Sequence, residues 1–395
     1  MKTNRIIILI ALMHCIAIHS NAQRVKLAAP IPAAHLTHKY VDYLKNKRVA
    51  LVVNQSSTIH STHLVDTFRR LDINLKKIFC PEHGFRGTLD AGENVNNGFD
   101  STTNIPLISL YGKNKKPDAK DLTDIDVMVF DIQDVGVRFY TYLSTLHYVM
   151  EACAENKIRL IVLDRPNPNG YYIDGPVLQK EYTSFVGLHP VPIVYGMTIG
   201  EYAKMINGEK WLANKAKCYL KVIKLEAYTH KSKYTLPVKP SPNLADQDAI
   251  SLYPSLCLFE GTPISVGRGT YEPFKMIGHP SLGENYSFNF IPQSIDGMSK
   301  EPPYLNQICY GVDLRTYVND STQNLQQLNI NWLMEMYTAY PEKDKFFNSF
   351  FEKLVGNETL SKQIIAGKTE QEIRASWESE LQAFKKIREH YLIYK

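Results

Sequence analysis

The feature that most constrains the fold of this chain is a repeated order of apolar strand, polar loop and helix. Short apolar runs that stop abruptly at polar residues are typical of buried parallel strands. The predicted strands cover residues 48–55, 75–79, 127–130 and 159–163. Apolar residues at helical spacing predict helices over residues 61–71 and 145–156. Strands that alternate with helices in this way indicate an open, mostly parallel α/β sheet.

Polar side chains gather just after the predicted strands, at the edge where ligands bind in such sheets. Asn54, Glu82, Asp131 and Asp164 each follow one of these strand ends. We therefore expect these four positions to converge in space and to contribute to one site.

The segment FCPEHGFRG, residues 79–87, places the carboxylate of Glu82, the imidazole of His83 and the guanidinium of Arg86 within five residues. A partly desolvated carboxyl group at a strand end can act as a general acid. The neighbouring glycines permit tight turns and the close approach of a ligand. The alternative is a polar loop in which Glu82 and His83 bond only backbone amides.

Residues 131–142 form the densest polar segment of the chain. Its candidate binding residues are Asp131, Gln133, Asp134, Arg138, Tyr140 and Tyr142. Carboxylate, amide, guanidinium and phenol groups together suit a sugar, whose hydroxyls they bind and whose ring they stack on. Leaving such groups buried without partners would cost about 1–3 kcal/mol each, so the segment needs either a ligand or a tight internal network. The simpler alternative is that Asp131, Gln133 and Val135 form one face of a strand.

Two further loops carry charged residues beside turn-forming residues. The first, residues 164–170, is stiffened by proline and contains Asp164, Arg165 and Asn167, which either bind a ligand or shape a turn through an Asp–Arg pair. The second contains Glu260 and Arg268, and an arginine between two glycines can offer a bidentate fork to a carboxylate or phosphate. Two ordinary glycine turns with a solvated arginine are the alternative.

The order of segments predicts a leader and two domains. Residues 1–22 have the basic start, the apolar run and the small residues of a signal peptide cleaved after Ala22. The run of about 13 apolar residues is short of the roughly 20 that span a bilayer, so we expect export without a stable membrane anchor. Residues 23–277 form the α/β domain, in which Thr198 and Glu201 make a capping box, and residues 278–395 form a smaller, largely helical α+β domain.

The charge distribution and the missing motifs argue against nucleic-acid binding, zinc binding, nucleotide binding and serine hydrolase chemistry. A net charge of +5 on scattered residues gives no basic patch of the kind that binds nucleic acid. The five cysteines after the leader are far apart and lack zinc-site spacing, so mostly free thiols are expected. The sequence also lacks the nucleotide-binding glycine motifs, the G-x-S-x-G elbow and the H-E-x-x-H zinc motif.

Several long motifs, in order, resemble the NamZ-type exo-β-N-acetylmuramidases, a family long catalogued as a domain of unknown function. The motifs are PEHGFRG (81–87), DIQDVGVRFYTYLSTL (131–146), LDRPNPNG (163–170), SFVGLHPVPIVYGMTIGE (184–201), KPSPNL (239–244) and EGTPISVGRGT (260–270). Two positions depart from the family pattern: Tyr195 stands where His is expected, and Pro263 where Asn is more usual.

The resemblance implies a Rossmann-like N-terminal domain, a smaller C-terminal domain and a cleft between them. It also implies release of the non-reducing terminal N-acetylmuramic acid from peptidoglycan fragments, with muropeptides or disaccharides as partners in the periplasm or outside the cell. Such turnover or salvage of the cell wall requires no metal or cofactor.

The residues and the resemblance together suggest a glycosidase mechanism. Glu82 would protonate the glycosidic oxygen, and His83 would orient Glu82 or bond a sugar hydroxyl. A second carboxylate or the substrate's own acetamido group would act at the anomeric carbon. The candidates for that carboxylate, or for orienting the acetamide, are Asp131, Asp134, Glu201 and Glu260.

Other residues are candidates for binding the sugar itself. An arginine would pair with the lactyl carboxylate, and the candidates are Arg86, Arg138 and Arg268. Tyr140 and Tyr142 would stack on the ring. The remaining candidate binding residues are Asn54, Gln133, Asp164, Arg165 and Asn167.

Two alternatives to a glycosidase stay open at this point. One is an exported protein that binds muropeptides or sugars without catalysis. The other is a peptidoglycan amidase or esterase, against which the missing zinc and serine motifs weigh.

Overall fold

A computed structural model describes residues 28–82, 84–85, 97–318 and 325–394 of the chain. The predicted signal peptide lies outside the described residues. The strands are β1 Val49–Val53, β2 Thr58–Ile59, β3 Thr62–His63, β4 Leu75–Cys80, β5 Gly98–Phe99, β6 Pro106–Ser109, β7 Val127–Asp131, β8 Arg159–Leu163, β9 Asp174–Val177, β10 Pro192–Val194, β11 Tyr219–Ile223, β12 Met276–His279, β13 Phe288–Phe290 and β14 Cys309–Asp313. The α-helices are α1 Leu64–Arg70, α2 Ala119–Leu122, α3 Tyr142–Glu155, α4 Ile199–Gly208, α5 Gln247–Leu256, α6 Asn331–Ala339, α7 Ser349–Val355, α8 Thr359–Ile365 and α9 Glu370–Glu389.

The main sheet has seven strands in the order β11-β8-β7-β1-β4-β6-β5. Its strands pair in parallel, apart from the short edge strand β5, which runs antiparallel to β6. The chain builds outward from β1 through β4 to β6 and then returns to the other side of β1 with β7. This is the strand order of the Rossmann fold, and the predicted α/β class is confirmed.

The strands are predictable because the sheet is buried on both faces. Along β1, Ala50 and Val52 pack into one hydrophobic core, while Val49, Leu51 and Val53 pack into the other. Both cores exclude water from the strand, so its sequence is apolar throughout rather than alternating. The same division holds in β7 and β8.

Two predicted helices differ from the structure at their first turns. Residues Thr62–His63 pair with Thr58–Ile59 as a hairpin, so α1 begins only at Leu64, with the His63 imidazole accepting from the Val65 amide. Helix α3 begins at Tyr142, three residues before the predicted start. The capping box of Thr198 and Glu201 at the start of α4 is confirmed.

The C-terminal part contains a small antiparallel sheet, in the order β12-β14-β13, together with helices α6 to α9. Its apolar residues join the larger core that also packs on the main sheet. The boundary predicted after residue 277 stays a prediction. Cys80, Cys153, Cys218, Cys257 and Cys309 are buried free thiols. Within the described ranges, we find no helix that is both long and apolar enough for a membrane span.

Candidate active site

A cavity of about 360 Å³ lies beyond the carboxyl ends of β4 and β7, with the C-terminal part as its other wall. Its volume is in the range of small-molecule sites, about 300–1,000 Å³. The described lining residues are Glu82, Tyr111, Phe139, Tyr140, Thr141, Tyr142, Phe185, Val186, Ser241, Asn243, Leu244, Tyr253, Cys257, Glu260, Arg268, Phe274, Phe350 and Leu354.

Glu82 stands at one wall of this cavity because it follows the end of β4 by two residues. The Thr141 hydroxyl, at the start of α3, donates to Glu82 Oε2 at 3.0 Å. Burial and the negative charge of Glu82 raise the pKa of the nearby Tyr111 hydroxyl, which therefore stays protonated. A carboxylate is thus fixed between two hydroxyl groups at the cavity wall. His83 and Arg86, the other charged residues of this motif, lie outside the described residues.

Glu260 and Arg268 form an ion pair that also lines the cavity. Arg268 Nε and Nη2 both donate to Glu260 Oε1, at 2.8 and 2.6 Å. Burial opposes the charge of Arg268, but the Glu260 carboxylate outweighs it and raises the pKa of the guanidinium. Gly267 and Gly269 have φ of 78° and 82°, and this left-handed backbone, which glycine alone adopts readily, turns Arg268 back toward Glu260.

Asp131 and Arg165, two predicted site residues, pair with each other below the cavity. Arg165 Nε and Nη2 donate to the two oxygens of Asp131 at 2.6 and 2.8 Å. Asp131 is fully buried and Arg165 nearly so, and neither is among the described residues that line the cavity. Arg165 therefore makes a structural ion pair, but its partner is Asp131 at the end of β7 and not Asp164 of its own loop.

Asp134 is likewise buried and is not among the described residues that line the cavity. Its Oδ2 accepts from the Gly136 amide at 2.6 Å and from the Tyr195 hydroxyl, so the tyrosine that departs from the family pattern binds this carboxyl group. Burial raises the pKa of Asp134 to about 6 despite these bonds. Gln133 donates from its side chain to the carbonyls of Asp134 and Pro166, both at 2.8 Å.

The loops after β1 and β7 are tied together at the point where the strand order reverses. Asn54 Oδ1 accepts from the Ser56 amide at 3.0 Å, and Ser56 Oγ accepts from the Gln133 amide at 3.0 Å. The Ser57 hydroxyl donates to the Asp131 carbonyl. Protein groups therefore bond to one another across the point where a Rossmann fold would usually hold its ligand. Asn167 adds to the same network by donating to the Met197 carbonyl at 2.7 Å.

Arg138 is a buried link between the two parts of the chain. Nη1 donates to the carbonyls of Pro176 and Val191 at 2.9 and 2.7 Å, and Nη2 donates to those of Leu354 and Val355 at 2.8 and 2.6 Å. Only 1% of the residue is exposed, and burial lowers the pKa of the guanidinium to about 9. The structure therefore places Arg138 behind the cavity wall, with its terminal nitrogens occupied by protein carbonyls.

Asp164 and Glu201 hold the start of α4 and the end of the chain. Asp164 accepts from the Thr198 hydroxyl at 2.7 Å and from the Tyr394 hydroxyl at 2.6 Å. Glu201 accepts from the Thr198 amide at 2.9 Å and from the Ile393 amide at 2.7 Å. The geometry brings neither carboxyl group to the cavity.

Of the predicted site residues, the structure brings Glu82, Tyr140, Tyr142, Glu260 and Arg268 together around the cavity. The tyrosines are nearly buried, and the Tyr140 hydroxyl donates to the Pro240 carbonyl at 2.7 Å. Sequence reasoning missed Thr141, Phe185, Asn243 and Phe350 as lining residues. The first three lie within the resembling motifs, whereas Phe350 lies in a segment without any motif. In the part of the chain that the structure describes, no His, Cys, Asp and Glu side chains group as a metal site.

Comparisons with known proteins agree with this architecture. Residues 49–248 match the family model described as the N-terminal part of exo-beta-N-acetylmuramidase NamZ, and residues 251–394 match the model of its C-terminal part. A relative named peptidoglycan beta-N-acetylmuramidase NamZ, from Bacillus subtilis strain 168, is 39% identical over 373 residues, which are 90% of this chain and 89% of that protein.

Two crystal structures of DUF1343 family proteins from Bacteroides fragilis NCTC 9343 have the same fold. One has a TM-score of 0.87 and 44% identity, the other a TM-score of 0.78 and 28% identity, and each comparison covers 93% of this chain and 99% of the other. The family models and the Bacillus relative each extend over most of the chain, and both parts of the cavity wall lie inside the matched ranges. This chain therefore belongs to the NamZ family of exo-β-N-acetylmuramidases.

Proposed function

We infer that this chain is a glycoside hydrolase that releases the non-reducing terminal N-acetylmuramic acid from peptidoglycan fragments. Family membership gives the reaction, and the position of Glu82 gives it a place in the molecule. Among the described lining residues, Glu82 and Glu260 are the carboxylates, and they stand on walls contributed by different parts of the chain. Glycosidases commonly place two carboxyl groups on either side of the scissile bond.

Glu82 is the general acid of this proposal. Thr141 fixes one of its oxygens, and the half-buried side chain stands at the cavity wall, where it can reach the glycosidic oxygen of a bound sugar. The proton would pass from Glu82 to the leaving sugar as the anomeric bond breaks.

Glu260 is the candidate that shares the cavity with Glu82, whereas Asp131, Asp134 and Glu201 are held in internal contacts. Arg268 binds Glu260 through two N–H groups, and this ion pair fixes the orientation of the carboxylate and of its charge. That charge can stabilise the positive charge that develops at the anomeric carbon, or orient the acetamido group if the substrate itself supplies the nucleophile.

Arg268 is also the candidate to recognise the lactyl group. Its Nε and Nη2 bind Glu260, and Nη1 makes no hydrogen bond to the described residues. The free edge of the guanidinium can therefore receive the lactyl carboxylate that distinguishes muramic acid from glucosamine.

We also propose that the protein is exported, loses residues 1–22 and acts in the periplasm or outside the cell on muropeptides or disaccharides released during cell-wall turnover. The basis is the leader-like sequence at the N-terminus. Mass determination of the mature protein should find Gln23 as its first residue. A mature chain that retains Met1 would contradict cleavage.

The role of Glu82 is tested with a disaccharide of N-acetylmuramic acid β-linked to N-acetylglucosamine. The wild type should release N-acetylmuramic acid, and Glu82→Gln should reduce kcat/KM by about 10²–10⁴-fold, because a sugar alkoxide leaves poorly without a proton. On 4-nitrophenyl β-N-acetylmuramide the loss should be much smaller, because nitrophenolate leaves without protonation.

Glu226→Gln serves as the matched control, since Glu226 is a surface residue paired with Lys39. It should leave both rates unchanged. A wild type that binds the disaccharide without cleaving it would favour a sugar-binding protein. Undiminished cleavage by Glu82→Gln would remove Glu82 from the acid role.

A further inference from the structure

We propose that Phe350 forms the binding surface for the leaving sugar, the residue on the reducing side of the scissile bond. The proposal rests on the proposed function, because a leaving sugar exists only if the chain cleaves a glycoside. It concerns a residue outside every resembling motif, on a helix of the C-terminal part.

The exposure of the aromatic lining residues distinguishes the floor of the cavity from its mouth. Five aromatic rings that line it are buried: Phe139, Tyr140, Tyr142, Tyr253 and Phe274. Tyr111 and Phe185 are half-buried, and Phe350 is 37% exposed. The buried rings therefore form the closed end, which suits the terminal sugar, and Tyr111, Phe185 and Phe350 stand where the rest of the substrate must lie.

The rings at the mouth differ in what already covers them. Tyr111 and Phe185 lie beside each other, with ring centres 6.5 Å apart. Lys115 Nζ lies 4.4 Å from the centre of the Phe185 ring, and Tyr148 is stacked beside it at 6.3 Å between ring centres. Phe350 has no aromatic or cationic partner among the described residues. Its ring is thus the uncovered apolar surface at the mouth, and covering it would remove apolar area from water at about 25 cal/mol per Å².

The helix that carries Phe350 is held at both ends. Asn348 caps α7 by accepting from the Phe350 amide at 2.9 Å, and Arg138 binds the Leu354 and Val355 carbonyls at its other end. Gly261 lies so close to the Phe351 backbone that a side chain at residue 261 would clash. The ring therefore projects from a fixed support, so a ligand need not order the helix in order to use it.

Leu354 lies one helical turn after Phe350 and lines the same cavity, so one face of α7 runs from the floor to the mouth. A pyranose ring presents C–H groups on its faces, and these pack on an aromatic ring while the hydroxyls stay hydrated at the edge. The leaving sugar can bind in this way at the mouth, where its hydroxyls stay in water. The terminal sugar would instead place its hydroxyls against the polar groups farther inside.

The test compares two substrates that share the terminal sugar: the muramic acid–glucosamine disaccharide and methyl β-N-acetylmuramide, which has no leaving sugar. Phe350→Ala should raise KM for the disaccharide about tenfold and leave kcat nearly unchanged, because binding that is equal in ground and transition states affects KM alone. Its kinetics on the methyl glycoside should match the wild type. Phe350→Leu should fall between, since it keeps apolar bulk but loses the flat ring.

Phe99→Ala is the control, because Phe99 is 65% exposed and is not among the described residues that line the cavity. An unchanged KM of Phe350→Ala for the disaccharide would overturn the proposal, and so would an equal loss on both substrates, which would place the ring in terminal-sugar binding or in folding. A wild type that cleaves neither substrate would refute the proposed function itself and the inference with it.

Discussion

At the scale of single residues, Arg268 is expected to determine the preference for muramic acid over glucosamine. Substitution Arg268→Gln should lower kcat/KM about 10²-fold on a β-N-acetylmuramide, because both the partner of the lactyl carboxylate and the support of Glu260 are lost. On the matching N-acetylglucosaminide the loss should be several-fold smaller, since that sugar has no lactyl carboxylate. Initial rates on the two chromogenic substrates measure the difference.

The substitution Arg268→Lys tests whether selectivity depends on the positive charge of Arg268 or on the shape of its guanidinium. Lysine keeps the positive charge but lacks the planar fork, so its selectivity should lie between those of the wild type and Arg268→Gln. Equal losses on both substrates in either variant would show that Arg268 acts only through Glu260.

Individual residues were also where the sequence was least informative. Asp131, Arg138 and Asp164 have the chemistry of ligand-binding groups, and Asp131 and Asp164 stand at strand ends as expected. A buried polar group needs a partner, but the sequence does not say whether the partner is a ligand or the protein. Here Arg165, backbone carbonyls and Tyr394 fill that role. Glu82 differs in that it lines a cavity.

At the scale of elements, the N-terminus of α4 makes stability depend on pH through Asp164. Burial raises the pKa of this carboxyl group to about 7, whereas it would titrate near 4 in the unfolded chain. Between these values the folded state binds more protons, so the contribution of Asp164 to stability is greatest below pH 4, declines as pH rises through 7 and is level above that.

Substitution Asp164→Asn should therefore flatten the pH dependence of unfolding. The difference in Tm between pH 5 and pH 8, measured by calorimetry, should be smaller in the variant than in the wild type. Asp134 keeps part of the slope in both proteins, because burial raises its pKa as well. An identical slope in the two proteins would show that Asp164 titrates normally.

Elements were the level at which the sequence predicted most. β8 has the predicted bounds, and α4 begins after the predicted cap, because a strand buried on both faces and a capping box each leave a local signature. The start of α1 was missed because residues 58–63 pair as a hairpin, and such pairing depends on contacts that helical spacing does not reveal.

At the scale of the whole molecule, Arg138 joins the two parts that enclose the cavity. Substitution Arg138→Met keeps much of the bulk but leaves four buried carbonyls without this donor, so unfolding should become easier by about 3 kcal/mol or more. Urea unfolding followed by fluorescence measures the loss. Activity at a temperature where the variant is folded should also fall, since α7 loses its anchor.

Arg315→Met is the comparison, because Arg315 pairs with Asp313 at the surface with 47% of its side chain exposed. Its effect should stay below about 1 kcal/mol. Similar effects of the two substitutions would mean that the buried guanidinium does not join the parts.

The cavity itself could not be predicted from local pattern, because its walls come from residues more than 250 positions apart, such as Glu82 and Phe350. The sequence predicted a ligand site beyond the carboxyl ends of the strands, and the cavity lies there, beyond β4 and β7. At the point where the strand order reverses, the loops bond to one another instead. The family resemblance supplied the cleft between two domains that periodicity alone does not give.

The buried Arg138 contact also bears on which glycans can be substrates. A long polysaccharide can lie across a cleft only if the two walls of the cleft separate. Here the buried guanidinium of Arg138 donates to carbonyls of both walls, directly behind the cavity. Separation of the walls would leave the Arg138 guanidinium without its carbonyl acceptors. A glycan chain would then enter the cavity only by its free end. Removal of sugars from free ends therefore follows from walls that stay joined.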